Sequence, residues 1–142
     1  MKLIFPLILA AVAIPLAVQA DDDIDDAARN AFNSFEEAWQ GGDAKGIGAL
    51  FDKDSKVALQ LQESGSYSRD QAISIIKKYF EANSVVSLEL SKDGYQGSSS
   101  PYATYGYEYT DADGRKQSAR LYVALSKKNG RYVVTRIAVM GK

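Results

Sequence analysis

An α+β fold is predicted for this chain by three observations. The hydrophobic period changes from that of a helix to that of a strand at Val57. A capping box at Ser68–Gln71 then interrupts the strand pattern with a new helix. Everything after Val85 alternates like antiparallel sheet. The expected order is helix, helix, strand, helix and four strands, with three N-terminal helices packed on a curved, mostly antiparallel sheet.

The first helix is read from Ile24, Ala28, Phe32, Phe35 and Trp39, whose spacing puts them on one face, and Gly41-Gly42 ends it. The acids before it, Asp21, Asp22, Asp23, Asp25 and Asp26, are read as charges favoured by the dipole of a helix start, at about 0.3–1 kcal/mol each, rather than as calcium ligands. Asp43 is expected to cap a short second helix carrying Ile47, Leu50 and Phe51, which Gly46 and Gly48 weaken. Val57, Leu59 and Leu61 alternate with polar neighbours, giving a half-buried strand to about Gln62 that Glu63-Ser64-Gly65-Ser66 closes.

In Ser68-Arg69-Asp70-Gln71 the hydroxyl and the amide can satisfy each other's orphan backbone donors, so the third helix begins here and runs to Asn83. Tyr67 stands where a hydrophobic staple would pack back on Ala72. Val86, Leu88 and Leu90 form the next strand, and Lys92-Asp93-Gly94 turns the chain. Tyr102 to Thr110 is a strand rich in aromatics, followed by a turn at Asp111–Gly114 and a strand from Ser118 to Ser126. Asn129-Gly130 tolerates the positive φ of a type I′ hairpin, and Tyr132 to Val139 completes the sheet. Gly94 to Pro101, with three consecutive serines, is the loop expected to move.

Residues 1–20 read as a secretory signal peptide: Lys2, an apolar run from Leu3 to Val18, and small residues before Asp21. Pro6 and Pro15 interrupt the run, which falls short of the roughly 20 apolar residues of a membrane span. The absence of Cys leaves no lipoprotein anchor. Export to the periplasm or the medium is therefore expected, with no stable membrane anchor after cleavage, and residues 21–142 form one domain. The chain has neither His nor Cys, which excludes a Ser-His-Asp triad, a His-based zinc site and disulfides, and leaves only carboxylate, Lys or Tyr chemistry. With 17 basic and 18 acidic side chains there is no basic stripe, so no nucleic acid is expected as partner. Asp111-x-Asp113-Gly114 departs from a calcium loop at Arg115, and no metal or cofactor is expected.

Gly42-Asp43-Ala44 before a short helix ending Leu50-Phe51, Tyr67 to Ala72 opening the third helix, Tyr79-Phe80 near its end and the closing hairpin Lys127 to Val139 carry a resemblance. With these phrases the chain resembles the NTF2-like superfamily of cone-shaped α+β domains, and most of all its small secreted bacterial members catalogued as a domain of unknown function. The likeness spans about residues 25 to 140. It implies a pocket between helices and sheet, and dimerisation through the open face of the sheet. The superfamily reuses one scaffold for unrelated tasks, so function has to be read from the site.

The candidate site residues are aromatic. Tyr105, Tyr107 and Tyr109 share one face of a strand, Tyr122 and Tyr132 lie on the two that follow, and Trp39 comes from the first helix. By the resemblance, Trp39, Tyr105, Tyr107, Tyr109 and Tyr122 line a pocket for a small apolar molecule. The alternative is that the rings fill or cover the sheet. Glu108, opposite Tyr107 in parity, and Arg120, in phase with Tyr122, are read as outer-face charges; an inward Glu108 would instead supply a base. No catalytic residue is assigned. The expected function is a non-catalytic exported binding domain for a small apolar molecule, a peptide or a second copy, with an isomerase or hydrolase of ketosteroid-isomerase type as the alternative.

Overall fold

The computed structural model describes residues 24–141, so the signal-peptide reading of residues 1–20 lies outside the described residues. Three helices, α1 (Asp26–Gln40), α2 (Ala44–Gly48) and α3 (Arg69–Ala82), pack on a sheet of six strands: β1 (Val57–Gln60), β2 (Ser64–Tyr67), β3 (Ser84–Leu90), β4 (Tyr102–Thr110), β5 (Lys116–Lys128) and β6 (Arg131–Gly141). In space the strands run β2-β1-β6-β5-β4-β3. All neighbours are antiparallel except β1 and β6, which are parallel. Bulges after Val85, in the edge pair β3–β4, and after Ala124, in the central pair β5–β6, shift the register.

The expected order lacks one strand. Ser64 to Tyr67, read as the closure of β1, is itself β2, an edge strand whose partners run from Val57↔Tyr67 to Gln60↔Ser64. Its Ser-Gly-Ser sequence carries no apolar alternation, and backbone bonds rather than side chains hold it. β1 correspondingly ends at Gln60, and Leu61 turns by donating its N–H to the Glu63 carbonyl. The Gly94–Pro101 loop is anchored at its start, while its three serines are exposed. Tyr95 is buried and stacked on Phe32 at 4.7 Å between centroids, and Gln96 forms a bridge with Tyr102.

Other boundaries follow from local chemistry. Asp25 caps α1, accepting the Ala28 N–H at 2.9 Å, and Asp43 caps α2 through the Gly46 N–H at 3.0 Å. The Ser68 hydroxyl accepts the Gln71 N–H while the Gln71 carbonyl oxygen accepts the Ser68 N–H, which closes the capping box on α3. Asn129 and Gly130 have φ of 52° and 83°, as a type I′ turn requires.

Register decides which side chains meet. Tyr105 sits opposite Leu121, Tyr107 opposite Ala119 and Val123 opposite Ile137, all on the face turned to the helices. Thr104 is opposite Tyr122 and Gly106 opposite Arg120, on the other face. The core lies between α1, α3 and the inner face, built from Phe32, Phe35, Trp39, Ile76, Tyr105, Tyr107, Leu121 and Ile137.

Candidate functional site

The apolar stripe of α1 drives Phe35 and Trp39 into the concave face of the sheet, where they meet the inward rings of β4. Trp39 packs edge-on against Tyr107 at 5.6 Å, Phe35 lies 6.2 Å from Tyr105, and Tyr109 stacks on Tyr107 at 4.8 Å. Trp39, Tyr105 and Tyr107 are fully buried and Tyr109 is half-buried, so the structure brings four of the five sequence-selected rings together as filling of the cone. Tyr122 is not among them. Its partner is Thr104, one position out of phase with Tyr105 and Tyr107, so it lies on the outer face and packs against Tyr102 at 5.6 Å. Tyr132 is buried near the β5–β6 turn, its hydroxyl donating to Asp25 at 3.1 Å.

A buried phenol needs a partner for its O–H. Two of them find the same acceptor: the Tyr95 and Tyr105 hydroxyls both donate to Glu36 Oε2, at 2.7 and 2.8 Å. Burial first, and then the adjacent Glu36 charge, raise the Tyr105 pKa, which keeps the phenol a donor. Glu36 is the carboxylate of the cone and sequence reading missed it. Its signal was present, because Glu36 follows Phe32 by one helical turn and so borders the apolar stripe.

The second polar node joins α3 to β4. Tyr79 and Tyr107 share a hydroxyl–hydroxyl bond of 2.9 Å inside the core. Burial raises both: Tyr107 is pushed up to about 12, and Tyr79 rises further through burial and its bond to Tyr107. The Trp39 indole N–H approaches Tyr107, yet it finds no acceptor in hydrogen-bond geometry.

Open space begins at the outer end of that node. A cleft of about 290 Å³ separates α3 from the β1–β2 hairpin, lined by Leu61, Gln62, Glu63, Tyr67, Ile75, Lys78 and Tyr79. Ile75, Lys78 and Tyr79 share one face of α3 because they are three and four residues apart. The Tyr67 ring lies back over Gly65, at a spot that any Cβ on residue 65 would occupy. The wall is mixed: Leu61, Tyr67, Ile75 and the buried Tyr79 give it an apolar part, and the exposed Gln62, Glu63 and Lys78 a polar one of similar extent.

Two other constellations have chemically suggestive members. Ser55 donates to Asp52 at 2.7 Å and accepts from Lys128 at 2.7 Å. With its hydrogen engaged by a carboxylate and its oxygen by an ammonium, that serine ties the β5–β6 tip to the loop before β1 and is not an activated nucleophile. Glu108 lies on the outer face in register with Ser118, and with Glu89 and Arg120 it borders a trough of about 430 Å³ floored by Gly106. It does not face the cone. Among the described residues no group of three or more carboxylates is placed to hold a metal ion.

Residues 32–139 match the family described as Domain of unknown function (DUF4783). No curated protein matches the chain. Among solved structures, a DUF4783 family protein from Bacteroides uniformis superposes with a TM-score of 0.67 at 15% identity, covering 78% of this chain and 95% of that one. A DUF4783 family protein from Bacteroides fragilis gives 0.64 at 18% identity, over 77% and 96% of the two chains. An NTF2-like protein from Burkholderia pseudomallei gives 0.63 at 14% identity, over 83% and 92%. At such identities the structural likeness speaks for the fold alone, while the profile match spans most of the chain. This protein belongs to the DUF4783 family and has the NTF2-like fold.

Proposed function

We propose that this protein is exported and acts as a non-catalytic binding domain, taking a small, mainly apolar molecule in the cleft between α3 and the β1–β2 hairpin. The observation that carries the reading is the contrast between a cone interior closed by Trp39, Tyr105 and Tyr107 and a neighbouring cleft of about 290 Å³ whose walls join Leu61, Tyr67, Ile75 and Tyr79 to Gln62, Glu63 and Lys78. Concave, mostly apolar walls with one or two polar groups are what small-molecule sites share. The apolar leader with its cleavage signature supports export. Glu36, the carboxylate beside the buried rings, is held by two phenols, and Glu63 of the cleft is exposed, which supports the non-catalytic reading.

Small molecules released from the purified protein and identified by mass spectrometry test the reading, and the same spectra should show a chain beginning at Asp21. Gly65→Ala is the matching variant, because the added Cβ displaces the Tyr67 ring, at the edge of the core, and reshapes the cleft. Its expected outcome is loss of the co-purifying molecule with a nearly unchanged melting temperature; an unchanged ligand load would contradict the assignment. The exposed Val86 and the Tyr102–Tyr122 pair on the outer face favour self-association through the sheet as a second reading. Sedimentation at high micromolar concentration tests it, with a dimer expected.

A further inference from the structure

Gly106 stands in the middle of β4 with no internal reason to be glycine. Its φ lies outside the left-handed region, and the register runs through it without a shift to Glu89 on one side and Arg120 on the other. A Cβ placed there would meet only the Glu89 carbonyl oxygen, at an ordinary 3.9 Å. Glycine weakens a strand, and one that neither turns the chain nor relieves a clash marks a place where something else comes close. Gly106 is exposed on the outer face, so the approach is from solvent.

The missing side chain leaves a gap with opposite charges on its two sides. Strands lie about 4.8 Å apart, so Glu89 on β3 and Arg120 on β5 are anchored about 10 Å from each other across it. A trough of about 430 Å³ reaches from this row to Glu108 and Ser118, and another of about 520 Å³ reaches to Thr104; both are bordered by Glu89, Gly106 and Arg120. Among the described residues Glu89, Glu108 and Arg120 enter no hydrogen bond or ion pair. Two acceptors and one donor of charge therefore face open space around a bare stretch of backbone.

We infer that the outer trough binds a neutral, hydroxyl-rich molecule, a hexose unit seated over Gly106. A sugar hydroxyl donates through its hydrogen and accepts through its oxygen, so a single ligand serves the Glu89 and Glu108 carboxylates and the Arg120 guanidinium together. A simple anion would face two carboxylates, and a simple cation the guanidinium. The next row of the same face carries Tyr122, opposite Thr104, which sets an aromatic ring beside the polar floor. A second copy of the chain is the poorer occupant, because the cores of protein interfaces are depleted of charge and the centre of this trough is charged. The inference is independent of the cleft reading, since β2 and β3 are opposite edges of the sheet.

Glucose, galactose and mannose, titrated into the purified protein and followed by saturation-transfer NMR, test this, with glycylglycine as a zwitterionic control. At least one sugar is expected to bind in the millimolar range and the dipeptide is not. Gly106→Val, which fills the gap with a strand-favouring side chain, should weaken that sugar by about tenfold or more at an unchanged or raised melting temperature. Arg120→Met should weaken it likewise, and Gly65→Ala should leave it unaltered. The methyl glycoside of the bound sugar separates the sources: retained affinity fits the end of a glycan, and lost affinity a free hexose. Absence of binding by all three sugars, a preference for the dipeptide, or sugar binding that survives Gly106→Val would overturn the inference. So would a lowered melting temperature in Gly106→Ala, which would make the glycine a bend of the sheet, or a loss of dimer in Gly106→Val without any sugar effect, which would give the trough to a second copy.

Discussion

Glu36 shows how much one side chain can organise when two phenols converge on it. Its Oε2 holds Tyr95, which anchors the start of the Gly94–Pro101 loop, and Tyr105 at the centre of β4. Hydrogen bonds to a charged acceptor are the stronger kind, so Tyr105→Phe is expected to lower stability by about 1.5–3 kcal/mol in urea denaturation. Glu36→Ala should cost more than either single hydroxyl, because it strands both phenol hydrogens, and it should speed amide exchange in the loop at Tyr95. An unchanged denaturation midpoint in both variants would show the node to be energetically idle. The sequence displayed the Tyr alternation on β4 but not the partner of its hydroxyls, since Glu36 and Tyr105 are 69 residues apart and their meeting is a tertiary event. The misplacement of Tyr122 is of another kind. The turn at Asp111–Gly114 sets Thr110 opposite Lys116, and counting back from there puts Tyr122 opposite Thr104. The outer-face position was readable from the hairpin register.

Elements with chemical punctuation at their ends were legible, and those held by backbone alone were not. The capping box on α3 rests on reciprocal bonds at Ser68 and Gln71, so Ser68→Ala is expected to reduce stability by about 0.5–2 kcal/mol, read as a shift of the thermal midpoint without change of fold. β2 has no such mark, and its Ser-Gly-Ser run reads as a turn until β1 is beside it. The glycines of α2 illustrate a different loss of information. Propensity alone presents Gly46 and Gly48 as weak points of a short helix. In the folded protein a Cβ on Gly48 would collide with the Ile73 side chain, so the glycine sets how closely α2 approaches α3. The mouth of the cleft depends on a similar vacancy at Gly65, which no periodicity reveals.

At the scale of the whole molecule, the buried phenols define the alkaline limit of the fold. Tyr79, Tyr105 and Tyr107 all have folded pKa values raised by burial, Tyr107 to about 12, whereas an unfolded tyrosine ionises near 10. The stability they confer is complete below about pH 10 and is lost as pH rises toward their folded values, because the unfolded chain then releases protons that the native state retains. Each such tyrosine should steepen the decline by about 1.4 kcal/mol per pH unit. Phenolate absorbance from Tyr79, Tyr105 and Tyr107 is therefore expected to appear only together with loss of the near-ultraviolet circular dichroism signal. Simple additive titration of all the tyrosines in a folded protein would contradict the burial assigned to them. The topology has a further consequence, in time rather than in energy. β1 pairs in parallel with β6, and the cap of α1 is bonded to Tyr132 at the last hairpin, so the beginning of the chain closes on its end. Contacts that join the two ends of a chain form late and slowly. β1 and the cap of α1 thus lack one of their partners until the final strand has been synthesised, and the packing begun by the N-terminal elements is completed by the last residues to be made.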